Sequence, residues 1–95
     1  MNTYELTVIL RNKNVEALIE RVNEILKKHG TVILSDNSPG VKKMAYEIDK
    51  EKEGHYLFLN VETDPDSVKK IISEFRINSD ILRFLFVKVK KAATA

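Results

Sequence analysis

The sequence predicts a two-layer α+β domain with one sheet face left uncovered. Three observations carry this. Strand-like alternation recurs in separate segments, most cleanly from Thr3 to Leu10. Two stretches, starting near Val15 and Pro65, repeat apolar residues at helical spacing. The segments follow one another as β-α-β-β-α-β, which is the split βαβ, or ferredoxin-like, plan: a four-stranded antiparallel sheet with two helices on one face. Right-handed crossovers predict the first and last strands side by side in the middle of that sheet. Ninety-five residues make one such domain, expected over 1–90, with 91–95 as a short basic, flexible tail.

In Thr3 to Leu10, Tyr4, Leu6, Val8 and Leu10 point one way and Glu5, Thr7 and Ile9 the other, so one face meets a core. Arg11 to Asn14 is a polar turn in which Asn12 or Asn14 can cap the next helix. That helix, Val15 to Lys28, carries Val15, Leu18, Ile19, Val22, Ile25 and Leu26 on one stripe. Lys27, Lys28 and His29 suit its C-terminal dipole, and Gly30 is a natural residue to end it. Thr31 to Leu34 opens a second strand, which Ser35 to Gly40 interrupts as a loop or bulge; Pro39 keeps this part at an edge.

A hairpin follows. Its arms are Val41 to Ile48 and His55 to Glu62, and its charged loop, Asp49 to Gly54, ends in a glycine able to take a positive φ. Asp64, Pro65 and Asp66 form the clearest helix start in the chain, and Val68, Ile71, Ile72 and Phe75 are its buried stripe. Ile81 to Val89 is the last and most apolar strand.

Alternation assigns the uncovered face. With Leu57, Leu59 and Val61 inside, Tyr56, Phe58 and Asn60 face out. With Met44, Tyr46 and Ile48 inside, Lys43, Ala45 and Glu47 face out. With Leu82, Phe84 and Phe86 inside, Arg83, Leu85, Val87 and Val89 face out. Ile9, Tyr56, Phe58, Leu85 and Val87 would then form an apolar patch rimmed by Lys43, Arg83 and Glu5, suited to a protein partner or to stacked bases.

Composition narrows the chemistry. The absence of cysteine excludes disulfides, zinc ribbons and thiol catalysis. No basic-then-apolar leader is visible and no apolar run is long enough for a membrane span, so the cytoplasm is the expected compartment. Sixteen Lys plus Arg against 14 Asp plus Glu leave a net charge of only +2, so distribution matters more than the sum. Basic residues group at Lys42-Lys43, Lys69-Lys70, Arg76, Arg83 and Lys88 to Lys91. His29 and His55 have no acidic or cysteine cluster at ligand spacing, Asp64 and Asp66 are explained by capping, and the three glycines form no phosphate loop. No catalytic residue, metal or cofactor is expected, and enzyme activity is not.

These residues also carry a resemblance. Gly40-Val41-Lys42-Lys43-Met44-Ala45-Tyr46-Glu47-Ile48 resembles the most distinctive segment of the bacterial small-subunit ribosomal protein six family. The opening Tyr4-Glu5, the aromatic strand Gly54 to Glu62, and Phe75-Arg76-Ile77 before Ile81 to Lys88 are similar to that family's remaining segments, in order. The resemblance implies a ferredoxin-like fold and a structural role in the small ribosomal subunit in the cytoplasm. It implies binding to small-subunit rRNA in the central domain, or platform, as a heterodimer with small-subunit ribosomal protein eighteen. Lys42, Lys43, Arg76 and Arg83, with Lys88, become the RNA-binding candidates. Tyr4 and Tyr46 match family tyrosines, for which packing is an equal reading. The chain departs from the family in its neutral Asn2 and Thr3, in Glu47 where a proline is common, and in a basic rather than acidic tail. From another class, a small-molecule-binding regulatory domain dimerising through its open face is the alternative; a small hydrolase is a third.

Overall fold

The computed structural model describes residues 2–48 and 50–89. Strand β1 (Asn2–Arg11), helix α1 (Val15–Lys28), strands β2 (Val32–Asp36), β3 (Gly40–Ile48) and β4 (Glu51–Thr63), helix α2 (Pro65–Ile77) and strand β5 (Ile81–Lys88) follow in that order. The sheet runs β2-β4-β1-β5, with β3 also on β4, and all pairings are antiparallel. The tail expected at 91–95 lies outside the described residues.

β2 and β3 are one strand broken in two. β2 pairs with the Leu59–Glu62 stretch of β4, and β3 pairs with the stretch before it, along the same edge. In the gap, the Asn37 N–H donates to the Phe58 carbonyl at 2.8 Å and the Phe58 N–H donates to Ser38 Oγ at 3.1 Å, so β4 loses no partner. Asp36 holds the gap's shape by accepting from the Ser38 N–H at 2.9 Å. Counting β2 and β3 together, the sheet has the four positions of the ferredoxin-like plan.

The central strands differ from expectation. β1 and β4 lie in the middle, while β5 pairs with β1 and forms an edge. The physical reason is that each βαβ crossover, β1-α1-β2 and β4-α2-β5, skips one strand position, so the two units interleave with β4 between β1 and β2 and β1 between β4 and β5. β4, the longest strand, meets β1 from Asn2↔Thr63 to Arg11↔Gly54.

Leu6, Val8, Leu10, Leu57, Leu59 and Val61 of the sheet pack on Leu18, Val22, Ile25 and Leu26 of α1 and on Val68, Ile71 and Phe75 of α2. Ile19 and Ile72 pack against this cluster from its margin. On β5, Phe84 and Phe86 turn to the helices as alternation predicts, but Leu82 does not take the next inner position. A register shift beside Leu10 makes Ile81 its partner, and Ile81 is the buried residue there. At the far end of β4, the Thr31 and Thr63 hydroxyls are buried and satisfy each other at 2.9 Å.

The helix ends are mostly legible. Gly30, at φ +72°, closes α1 as the Gly30 N–H donates to the Lys27 carbonyl (3.0 Å) and the Thr31 N–H to the Leu26 carbonyl (2.9 Å), a Schellman pattern. Asn14 is the first cap, but through its backbone. It sits in left-handed geometry at φ 53° without a side-chain cap bond. Asp64 is extended and precedes Pro65 at the first helical position.

The hairpin departs most from expectation. The charged segment is not a loop ending in a left-handed glycine. β4 already starts at Glu51, and Lys50 (φ 65°) is the residue with positive φ. Gly54 is a buried strand residue paired with Arg11 and Lys42. A Cβ there would lie 2.5 Å from Ile9 Cγ2 and 3.7 Å from Met44 Sδ. Glycine is required by close approach rather than by φ. The register sets Lys42 on the same face as Gly54 and Lys43 on the other. Met44 and Tyr46 therefore belong to the uncovered side, not the core side, and Lys42 rather than Lys43 joins them. Gly54→Ala must push the branched Ile9 side chain and is expected to cost about 1–3 kcal/mol in a urea titration. An unchanged midpoint would mean that the hairpin lifts freely off Ile9.

Candidate functional site

With both helices on one side, the other side of the sheet is built from cross-strand rows. Val87, Glu5 and Asn60 form one; Leu85, Thr7 and Phe58 the next; Arg83, Ile9 and Tyr56 the third. The five apolar residues expected on this face, Ile9, Tyr56, Phe58, Leu85 and Val87, are all on it. Leu85 is 59 % exposed, Val87 46 % and Phe58 37 %. Tyr56 and Phe58 meet edge to face at 6.0 Å between centroids, which fixes both rings. The Asn60 amide donates to Ser35 Oγ at 2.7 Å and ties β2 to this side.

The third row is partly roofed. Between Lys43↔Glu53 and Ile48↔Glu51 the β3 arm has more residues than its partner, so 44–47 bulges out of the ladder. Met44 enters the space above Gly54 and becomes buried, although it is not part of the helix-side core. Tyr46 ends beside Arg83, whose guanidinium carbon lies 5.6 Å from the ring centroid, a cation–π contact. Tyr46 nevertheless remains 62 % exposed. Arg11 holds the base of the hairpin. It reaches Glu51 at 2.7 Å, Asp80 at 3.2 Å and the Ser79 carbonyl at 3.4 Å, joining the hairpin to the α2–β5 turn.

The basic candidates are not gathered into one site. Lys42 and Arg83 lie on the open side, and Lys43 is exposed on the opposite side of β3. Arg76 is exposed in the last turn of α2, in the helical layer. Lys88 is paired with Tyr4 at the other end of β1 from Arg83 and shares the inward register of Tyr4. Of the tyrosines, Tyr4 is buried, edge-to-face on Phe86 at 5.9 Å, whereas Tyr46 is not a packing residue of the core. Sequence reading missed the Tyr46–Arg83 stack, the Met44 anchor and the Arg11 clamp. The lone glycine inside the β4 pattern was the available signal, because such a glycine marks close approach of another segment.

Glu74 of α2 joins the two helices by accepting from Lys28 at 3.1 Å and contacting His29. The hydrogen bond from His29, then that from Lys28, holds the Glu74 carboxyl below the usual carboxylate range. A lowered value means that the stabilisation is present above the ordinary carboxylate range and is lost as pH falls through Glu74's own value. Glu74→Gln should therefore lower the denaturant midpoint at neutral pH and converge with the parent protein as pH falls through Glu74's own lowered value. Parallel pH profiles would show that the cluster adds nothing. Among the described residues, no group of three His, Asp or Glu side chains is placed to hold a metal, and no helix is long and apolar enough to cross a membrane.

Fold and face together define a ferredoxin-like α+β domain with an uncovered sheet face. The family profile described as Ribosomal protein S6 matches residues 3–88. Small ribosomal subunit protein bS6 of Ruegeria sp. is 34 % identical, over 98 % of this chain and 83 % of that protein. The bS6 protein of Gluconobacter oxydans is 33 % identical over 94 % of this chain, which spans only 58 % of that relative's length. The crystal structure of 30S ribosomal protein S6 from Thermotoga maritima is similar with a TM-score of 0.84 at 26 % identity, over 93 % of this chain and 87 % of that one. The chain belongs to the ribosomal protein S6 family, a family of structural, non-enzymatic components of the small ribosomal subunit.

Proposed function

We propose that this protein binds small-subunit rRNA in the central domain, the platform, as a heterodimer with small-subunit ribosomal protein eighteen. The observation that carries the reading is family membership across residues 3–88. The bS6 names of the relatives put the site of action in the small subunit of the cytoplasmic ribosome. There is no chemical step: a rigid sheet holds a protein partner, and the pair stabilises an RNA junction by charge neutralisation and surface fit.

The exposed rows of the open face supply a physical basis. Leu85, Val87 and Phe58, with Tyr56 and Ile9 beside them, take the protein partner, since an apolar centre with a charged rim is the usual anatomy of such an interface. Lys42 and Arg83 take RNA on the open side at the hairpin end, and Lys43 adds a contact from the other side of β3. Arg76 and Lys88, which stand apart from them, contribute separate phosphate contacts.

The test is RNA binding to a central-domain rRNA fragment with this protein alone, with protein eighteen alone, and with both. Tight binding only with both supports the reading, and affinity should fall steeply as salt rises, because each neutralised phosphate releases counterions. No binding in any combination removes it.

A further inference from the structure

An aromatic side chain that the fold goes out of its way to expose needs an explanation. Strand 44–47 leaves the ladder, and Met44 anchors that departure above Gly54. Tyr46 is thereby set at the Arg83 end of the open face rather than in the core. The Arg83 guanidinium lies against the ring, yet 62 % of the residue remains in water. The Arg11–Glu51 ion pair at 2.7 Å fixes the hairpin that carries it. The result is a ring held in place from behind, with surface to spare and a cation next to it.

We infer that the free surface of the Tyr46 ring is a stacking site for an unpaired base of the bound RNA, with Arg83 and Lys42 as the cations for its strand. Base-on-aromatic stacking needs a fixed ring with an open face, and phosphate needs cations beside it. Lys42 shares the open side of β3 with Tyr46 and is exposed. Arg83 beside the ring and Lys42 on the same side of β3 suit a polyanion better than a second apolar protein surface. The apolar rows Leu85–Thr7–Phe58 and Val87–Glu5–Asn60 lie further along the sheet, so a protein partner and a base can be accommodated together. This inference rests on the rRNA-binding reading and adds to it a position and a mode of contact.

The experiment compares the parent protein, Tyr46→Phe and Tyr46→Leu. Each is first titrated with protein eighteen without RNA. The resulting pair is then titrated with a central-domain rRNA fragment, and urea midpoints are measured alongside. Tyr46→Leu should weaken RNA binding by about 5- to 150-fold, the range for loss of one stacked base. It should leave the protein–protein affinity and the midpoint unchanged, and Tyr46→Phe should bind RNA like the parent. RNA affinity unchanged in Tyr46→Leu overturns the inference and leaves the rRNA reading standing. So does a Tyr46→Phe variant as weak as Tyr46→Leu, since the hydroxyl and not the ring face would then be the contact. Lost pairing with protein eighteen also overturns it, by making the ring a protein contact. If the parent pair itself binds no RNA, the reading and the inference fall together.

Discussion

Phe75→Ala is expected to remove about 3–5 kcal/mol of stability, the range for deleting a fully buried aromatic ring. Phe75 is 0 % exposed and faces two rings of β5. Its centroid lies 5.5 Å from that of Phe84 at 67° and 6.5 Å from that of Phe86 at 15°. Phe75 therefore ties helix α2 to the edge strand through both of that strand's rings. Truncation removes the burial of the ring, its two aromatic contacts and the wall of the core at that point, and neighbouring β-branched residues such as Ile71 and Val61 cannot swing in to fill the void. A domain of this size has only about 5–15 kcal/mol in total, so the variant should be marginal at 37 °C. Urea denaturation followed by far-UV circular dichroism measures it. Ile77→Ala serves as the control on the same helix: Ile77 is 83 % exposed, and its loss should change the midpoint little. A Phe75→Ala loss below about 1.5 kcal/mol would show that the three-ring contact is not the centre of the second helix's packing.

Leu85→Glu is expected to have the opposite profile: folding unchanged and the proposed pairing with protein eighteen weakened about 30-fold or more, the scale of a hot-spot loss. Leu85 lies on the open face of an edge strand, opposite Thr7 and in the row of Phe58, and is already solvated in the free protein. A carboxylate there costs the monomer almost nothing, about 0.5 kcal/mol at most. Under a partner the same carboxylate would have to be desolvated against apolar surface without a counter-charge, which is far more expensive than the lost leucine contacts. Calorimetric titration with protein eighteen, together with a urea midpoint, separates the two effects. Pairing at parental affinity would move the partner off this face, while a lowered midpoint would mean that Leu85 is needed by the fold itself.

Both predictions rest on residues whose sides were readable from periodicity, helical for Phe75 and alternating for Leu85. The clean period of two in β1 and the second half of β4 assigned Leu6, Val8, Leu57 and Leu59 to the core and Thr7, Ile9 and Phe58 to the other face, as found. The stripes of α1 and α2 and the Gly30 and Pro65 boundaries were equally plain. Alternation failed where a bulge or the pairing register intervened. One extra residue near Leu82 shifted the inner position to Ile81, and the pairing of Lys42 with Gly54 set Lys42, and with it Met44 and Tyr46, on the open side. A bulge changes parity without any change in residue type, so apolar residues on both sides of it read alike. The candidate site was legible in proportion. Its apolar rows were, but the grouping of its basic residues was not, because Arg76 lies in the helical layer and Lys88 at the other end of β5 from Arg83, although both are near it in sequence.

The sequence by itself determined the element order, the two helices, the core stripes and the identity of the apolar face, because these depend on local periodicity and capping chemistry. Only the tertiary structure decided which strands are central, why position 54 must be glycine, and which side of the sheet the hairpin arm covers. Each of these depends on how closely one segment approaches another that is distant in the chain. Ile9 above Gly54 and Arg83 beside Tyr46 are such approaches, and no periodicity within either segment records them.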